Sequence, residues 1–261
     1  MEDVPPALVP LRDRPETAAL FLDFDGTLAP IVDDPAAARP LPGVAGVLRA
    51  LSRRYGLVAV VSGRPVHFLQ AMLRDGPSPS DVHLAGLYGL EEAGVEGPVR
   101  VAPEAERWRP VIDAVTALAR QEAPDGVHVE PKGLTVTLHW RGSPGAEPWA
   151  LAFARRETGR SGLATQPGRM ALELRPPAGG DKGTVVERLA TGFRAVGCFG
   201  DDLGDLPAFA ALARLAEAGV VVARVAVADP ESPPEVLAQA DVVVEGPQGA
   251  LDLLRRLAGD G

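Results

Sequence analysis

The sequence predicts a doubly wound parallel α/β core with a smaller α/β domain inserted into it, and three observations carry that prediction. Continuous apolar runs alternate with helical patterns over about residues 18–102, as in a sheet covered on both faces. From about Pro103 to Arg175 the pattern changes to helices and alternating strands, and from Asp181 the first pattern resumes. Several of the apolar runs end in acidic or polar residues, at the sheet edge where such folds bind ligands.

Taken in order, "AALFLDF" (Ala18–Phe24), "LVAVVSG" (Leu57–Gly63) and "VHLAG" (Val82–Gly86) read as buried strands. "GVAGVLRALSRRYG" between the first two carries apolar residues three and four apart and ends at Gly56, so it reads as a helix. "PVHFLQAMLRDG" reads as the next helix. The insert opens with a helix over Glu104–Gln121, followed by two strands around a short turn at Pro131–Gly133. In "LTVTLHW", Leu134, Val136, Leu138 and Trp140 share one face, and Thr135, Thr137 and His139 share the other, which is either a solvated face or a ligand-contacting one. Lys132 reads either as a solvated hairpin tip or as a ligand contact. A helix (about Glu147–Thr158) and a strand pair ending in "MALELRP" complete the insert, with Trp108 and Trp149 expected in its helical core.

The returning chain reads as helix "DKGTVVERLA", strand "AVGCFGDD", helix "LPAFAALARLA", strands "VVVARVAV" and "DVVVEG", and a last helix "PQGALDLLRRLA". Expected boundaries are 1–102 and 176–261 for the core and 103–175 for the insert, with about the first fifteen residues and the last few loose.

Composition narrows the partners. Of the 261 residues 46% are apolar and 23% charged, ordinary for a globular protein, and the net charge of −9 argues against nucleic acid or an anionic membrane. No apolar run reaches the ~18 residues of a membrane span, and the N-terminus lacks the pattern of a signal peptide, so a cytoplasmic protein is expected. The single cysteine, Cys198, excludes an internal disulfide and reads as packing. Of 26 basic residues only Lys132 and Lys182 are lysine, which marks both as places where a compact ammonium is needed.

In "LFLDFDGTLAP" an apolar strand ends in Asp23 and Asp25, with Gly26 behind them. Carboxylates withdrawn from water cost several kcal/mol unless paired, so a pair at a buried strand end calls for a cation. "SGR" (Ser62–Arg64) follows the second strand, Lys182 opens the returning helix, and "GDDLGD" (Gly200–Asp205) follows a later strand. Together these supply an acidic metal site, a hydroxyl and a lysine. Arg64 is expected to have a structural role beside Ser62.

These four motifs, in order over essentially the whole chain, resemble the haloacid dehalogenase (HAD) superfamily of phosphotransferases, with an inserted cap domain. The resemblance implies that Asp23 is a nucleophile forming an aspartyl phosphate and that Asp25 is the acid and then the base. It further implies phosphate contacts from Ser62, Gly63 and Lys182. Mg2+ would be held by the Asp23 carboxylate, the Asp25 carbonyl and Asp201, with Asp205 acting mainly from outside.

"VVSGR", "AGLYGLE", "VEPKGLTVTLHWR", "ALELRPPAGGDKG" and "GDDLGDLPAF" are similar to successive segments of the trehalose-6-phosphate phosphatases. That likeness implies sugar contacts from Glu130, Lys132, His139, Arg141 and Glu173, and hydrolysis of trehalose 6-phosphate, the last step of trehalose biosynthesis. Gly204 and Leu206 replace the threonine and glutamate of many members, and Tyr88 stands where histidine is frequent, which leaves that contact and the surroundings of Asp202 open. Alternatives at this point are a phosphatase for another sugar phosphate (sucrose 6-phosphate or a glycosyl phosphoglycerate) and a catalytically inactive sugar-phosphate sensor. Oligomeric state is not legible.

Overall fold

The computed structural model describes residues 4–32, 34–74, 81–168, 170–177, 179–230 and 232–259. Its strands in chain order are β1 (Ala18–Leu22), β2 (Leu57–Val61), β3 (His83–Gly86), β4 (Glu91–Gly94), β5 (Arg100–Val101) and β6 (His128–Pro131). They continue with β7 (Val136–His139), β8 (Ala164–Gly168), β9 (Ala171–Arg175), β10 (Ala195–Gly200), β11 (Val221–Ala228) and β12 (Val242–Glu245). The helices are α1 (Val9–Asp13), α2 (Val44–Ser52), α3 (Val66–Leu73), α4 (Pro103–Glu106) and α5 (Arg109–Glu122). After them come α6 (Glu147–Ser161), α7 (Lys182–Leu189), α8 (Leu206–Glu217), α9 (Pro234–Gln239) and α10 (Gly246–Ala258). The chain divides into two compact units, one of residues 1–100 with 180–261 and one of residues 101–179.

In the first unit the sheet runs β12-β11-β10-β1-β2-β3-β4-β5. β12 through β3 pair in parallel, and β4 turns back antiparallel on β3. Alternate residues of β1 face opposite layers. Leu20 and Leu22 pack with α2, α3 and α10, whereas Ala19 and Phe21 pack with α7, α8 and α9. This two-sided burial is why the strands read as continuous apolar runs.

The first fifteen residues are not loose from Val4 onward. Leu8 and Leu11 are fully buried in the core, because the turn Pro6–Leu8 and the short α1 after it each turn one leucine inward. Residues 1–3 and 260–261, and the Asp75–Gly76 end expected for the second helix, lie outside the described residues. β4, β5 and α9 were not legible: β4 reads "EEAG", too polar for an apolar run, and α9 has only six residues.

The second unit has an antiparallel sheet in the order β6-β7-β9-β8. The helix expected over Glu104–Gln121 is two helices, α4 and α5, with a break at Arg107–Trp108. Pro110, which lacks a backbone N–H, sits in the first turn of α5, a position suited to starting a helix. Ile112, Val115 and Phe153 of α5 and α6 cover Val136, Leu138, Leu172 and Leu174. On the other set of sheet positions the register aligns Glu130 with Thr137 and Thr137 with Glu173, a polar row across three strands. Thr135 and Thr137 are buried, which removes the solvated reading of their face.

Candidate active site

β1 delivers Asp23 to the carboxyl edge of the sheet, where its N–H donates to the Phe199 carbonyl of neighbouring β10 at 3.0 Å. β10 ends one residue before Asp201, and the turn Leu203–Asp205 brings Asp205 back beneath it. The third contributor is positioned by a helix cap. The Asp181 carboxylate accepts from the Thr184 N–H at 2.9 Å, which fixes Lys182 as the first residue of α7. "DKGT" is legible as such a cap in the sequence.

These elements converge on one buried group. Lys182 Nζ lies 2.7 Å from Asp23 Oδ1 and 2.6 Å from Asp205 Oδ1. Asp205 Oδ2 accepts from the N–H groups of Asp201 (3.0 Å) and Asp202 (3.3 Å), so Asp205 holds the lysine and the loop together. Gly26 is required by geometry: its φ is +82°, and a Cβ there would collide with the Asp201 carboxylate.

The charges do not balance. Burial pushes the Asp23 carboxyl up to about 8 against the opposing pull of Lys182. Burial, then the charges of Asp23 and Asp205, raises Asp201 well above the usual carboxylate range, and Asp205 is also raised by burial. Burial disfavours the Lys182 ammonium too, but Asp205 and Asp23 outweigh it and hold it well above an ordinary lysine. With all three carboxyls ionised, one ammonium would leave net negative charge in a poorly solvated place. Asp23, Asp201 and Asp205 each offer an oxygen, all within 4.8 Å of one another. An all-oxygen, anionic donor set of this kind fits a hard divalent cation such as Mg2+.

At the next strand end, Ser62 is buried and its Oγ accepts from the Arg64 N–H at 3.1 Å, which leaves its hydroxyl hydrogen to donate. A Cβ on Gly63 would come within 2.6 Å of the Tyr88 hydroxyl. Leu87 and Tyr88 form a left-handed stretch (φ +50° and +57°), uncommon for such residues, and the Tyr88 N–H donates to the Ser62 carbonyl. In the sequence Tyr88 stands out only as a departure from the family pattern, and three successive left-handed residues, ending at Gly89, have no clear sequence signal. Asp25 faces Arg64 rather than the lysine group, in a two-pronged pair at 2.7 and 2.8 Å. That ion pair was not anticipated.

In the second unit Lys132 Nζ is 3.0 Å from Glu173 Oε2 and 3.7 Å from Glu130 Oε2. His139 Nε2 lies 2.8 Å from the same Glu130 oxygen, and Thr137 Oγ1 donates to Glu173 Oε2 at 3.1 Å. Lys132 is thus a largely buried member of a polar cluster, not a solvated tip. Four of the five expected sugar contacts come together there, and Thr137 joins them. Arg141, half-buried beyond β7, makes no hydrogen bond to the cluster among the described residues.

The sequence profile of the trehalose-phosphatase family matches residues 21–241. The chain belongs to that family. It is 35% identical over 218 residues to a trehalose-phosphate phosphatase of Mycobacterium leprae, covering 78% of this chain and 50% of the relative. Likeness to the Mycolicibacterium paratuberculosis trehalose-phosphate phosphatase is similar, at 35% over 204 residues, covering 74% and 51%. The chain spans about half the length of these curated relatives. The solved C-terminal domain of Candida albicans trehalose-6-phosphate phosphatase shares the fold, with a TM-score of 0.79 at 23% identity over 97% of this chain and 96% of that one. So does a trehalose-6-phosphate phosphatase related protein, with a TM-score of 0.76 at 23% identity over 92% and 97%. The doubly wound α/β core with an inserted α/β unit, expected from the sequence, is therefore a fold shared with these solved structures. Among the described residues no helix is long and apolar enough to cross a membrane.

Proposed function

We propose that this chain hydrolyses trehalose 6-phosphate to trehalose and phosphate through an aspartyl phosphate on Asp23. The observation that carries the reading is the Lys182 ammonium held against both Asp23 and Asp205, beside Asp201, at the carboxyl edge of a family-typical sheet. Asp23, Asp201 and Asp205 are the carboxylates on hand to hold Mg2+, with the Asp25 carbonyl as a further ligand. The bound ion supplies positive charge that offsets repulsion between carboxylate and phosphate. Two unit charges ~4 Å apart at an effective dielectric of ~20 interact by roughly 4 kcal/mol, so a carboxylate meeting a phosphate dianion faces roughly 8 kcal/mol.

In the first step an Asp23 oxygen bonds to phosphorus, the bond from phosphorus to the sugar oxygen breaks, and Asp25 gives that oxygen its proton. In the second, a water oxygen bonds to phosphorus, its proton passes to Asp25, and the phosphorus bond to Asp23 breaks. Lys182 and the Ser62 hydroxyl orient the phosphate oxygens, and Gly63 lets the backbone pass close by.

The second unit supplies sugar recognition in this reading, through Glu130, Lys132, His139 and Glu173, with Arg141 as a separate contact. Glu173 Oε1 is buried with no hydrogen-bond partner among the described residues, an acceptor suited to a sugar hydroxyl. Leaving such an atom unsatisfied costs about 1–3 kcal/mol, which a matching hydroxyl would recover. Phosphate release from a panel of sugar phosphates, with Mg2+ and with a chelator, tests the reading. Trehalose 6-phosphate should be the best substrate and chelation should abolish release. Preference for sucrose 6-phosphate or a glycosyl phosphoglycerate would overturn the substrate, and no release from any ester would overturn the activity.

A further inference from the structure

Arg64 is built into its place from every side. Its N–H donates to Ser62 Oγ, its carbonyl accepts from the Leu87 N–H at 3.0 Å, and its Nη1 donates to the Pro35 carbonyl at 2.9 Å. The guanidinium carbon lies 4.6 Å from the centre of the Phe68 ring, and Phe68 in turn meets the buried Phe24 edge-on. The remaining prongs, Nε and Nη2, take one oxygen each of Asp25. Arg64 is buried, whereas 28% of the Asp25 side chain is exposed. The ion pair therefore joins an immobilised cation to a carboxylate that a ligand can reach.

A surface tie between two loops would not need this much support. A two-pronged pair fixes the plane of a carboxylate as well as its distance, which a lysine at the same place would not do. Orientation matters most for a group that must meet a leaving oxygen along one line, because proton transfer requires hydrogen-bond contact with the reacting atom. We propose that Arg64 is a positioning residue that sets the orientation of the Asp25 carboxylate for proton transfer to the departing oxygen. This rests on the reading of Asp25 as the acid and base.

The test uses two esters that differ in their need for a proton. A sugar alkoxide is a poor leaving group and depends on the acid; 4-nitrophenolate leaves without one. Because kcat/KM covers only steps up to the first irreversible one, it isolates transfer to Asp23. For Arg64→Ala, kcat/KM on the best sugar phosphate of the panel should fall at least about 30-fold further than on 4-nitrophenyl phosphate, within the range of acid–base contributions. Adding Arg64→Ala to Asp25→Asn should cost little more than Asp25→Asn alone, since both act through one carboxylate. If Arg64→Ala does not fold, Arg64→Gln, which removes the fork and keeps one donor, carries the same comparison. Equal losses on the two esters, or losses that multiply in the double variant, would overturn the role of Arg64 alone. A wild type inactive on both esters would overturn the phosphatase reading and this inference with it.

Discussion

The two lysines of this chain each stand between two carboxylates, and the two settings differ in what surrounds them. Lys182 contacts Asp23 and Asp205, with Asp201 close by, and burial raises all three carboxyls. Lys132 contacts Glu130 and Glu173, but His139 and Thr137 share the hydrogen bonding, and Glu130 remains partly exposed. The first group is short of positive charge and suits a cation and a phosphate. The second sets the same single ammonium against one carboxylate fewer and presents hydrogen-bonding groups of fixed position, which suits neutral hydroxyls. In the proposed reading the same residue pattern serves ionic chemistry in one unit and neutral recognition in the other, because burial and the number of carboxylates differ.

Breaking the ionic side should have the largest effects. Asp25→Asn keeps the backbone carbonyl but can neither give nor take a proton at neutral pH. Turnover of trehalose 6-phosphate should fall by about 100-fold to 10,000-fold with Mg2+ affinity largely kept, read by steady-state kinetics and calorimetric titration. Near-normal turnover would remove Asp25 from the mechanism. Next is Lys182→Arg. A planar fork does not fit where a point charge contacts Asp23 and Asp205, so kcat/KM should drop at least about 100-fold, about 2.7 kcal/mol. Retention of half the wild-type value would mean that the scarcity of lysine has no bearing on the chemistry.

The smallest effect sharpens the comparison through stability. Asp23 has its carboxyl raised from 3.8 to about 8, so between those values the folded chain binds a proton that the unfolded chain has released. Its contribution to stability is therefore fully present below 3.8 and is lost as pH rises through about 8. In metal-free buffer Asp23→Asn should melt higher than wild type at pH 8 by about 2 °C or more, with a smaller gain at pH 5, while turnover is lost. Mg2+ should raise the wild-type melting temperature more than that of the variant. A metal-free variant that melts lower than wild type at pH 8 would show that the carboxylate is already well compensated.

The sequence carried most of the core because parallel strands buried on both faces leave unbroken apolar runs, and because Asp23, Asp25, Ser62, Lys182 and Asp201 stand at strand or helix ends. It carried less where the cause is tertiary. The polar row Glu130–Thr137–Glu173 depends on strand register, and Thr135 and Thr137 alternate as an exposed face would although they are buried. Arg64 and Asp25 are 39 positions apart, and no local pattern signals their pairing. The left-handed Leu87 and Tyr88 have side chains that normally avoid that conformation, so no residue type announces the turn.

The division of labour between the two lysine settings is tested most directly by measuring kcat/KM for trehalose 6-phosphate and 4-nitrophenyl phosphate in two variants. Lys182→Arg, which strikes the phosphate chemistry, should reduce both esters by similar factors. Glu130→Ala combined with Arg141→Ala, which strikes the sugar contacts, should lose most activity on trehalose 6-phosphate, because unmatched hydroxyls cost binding energy that also holds the phosphate in line. It should act on the aryl ester within about threefold of wild type, since that ester has no sugar hydroxyls to lose. Equal losses on both esters in the double variant would contradict the account, and Glu130 and Arg141 would then be supports of the fold.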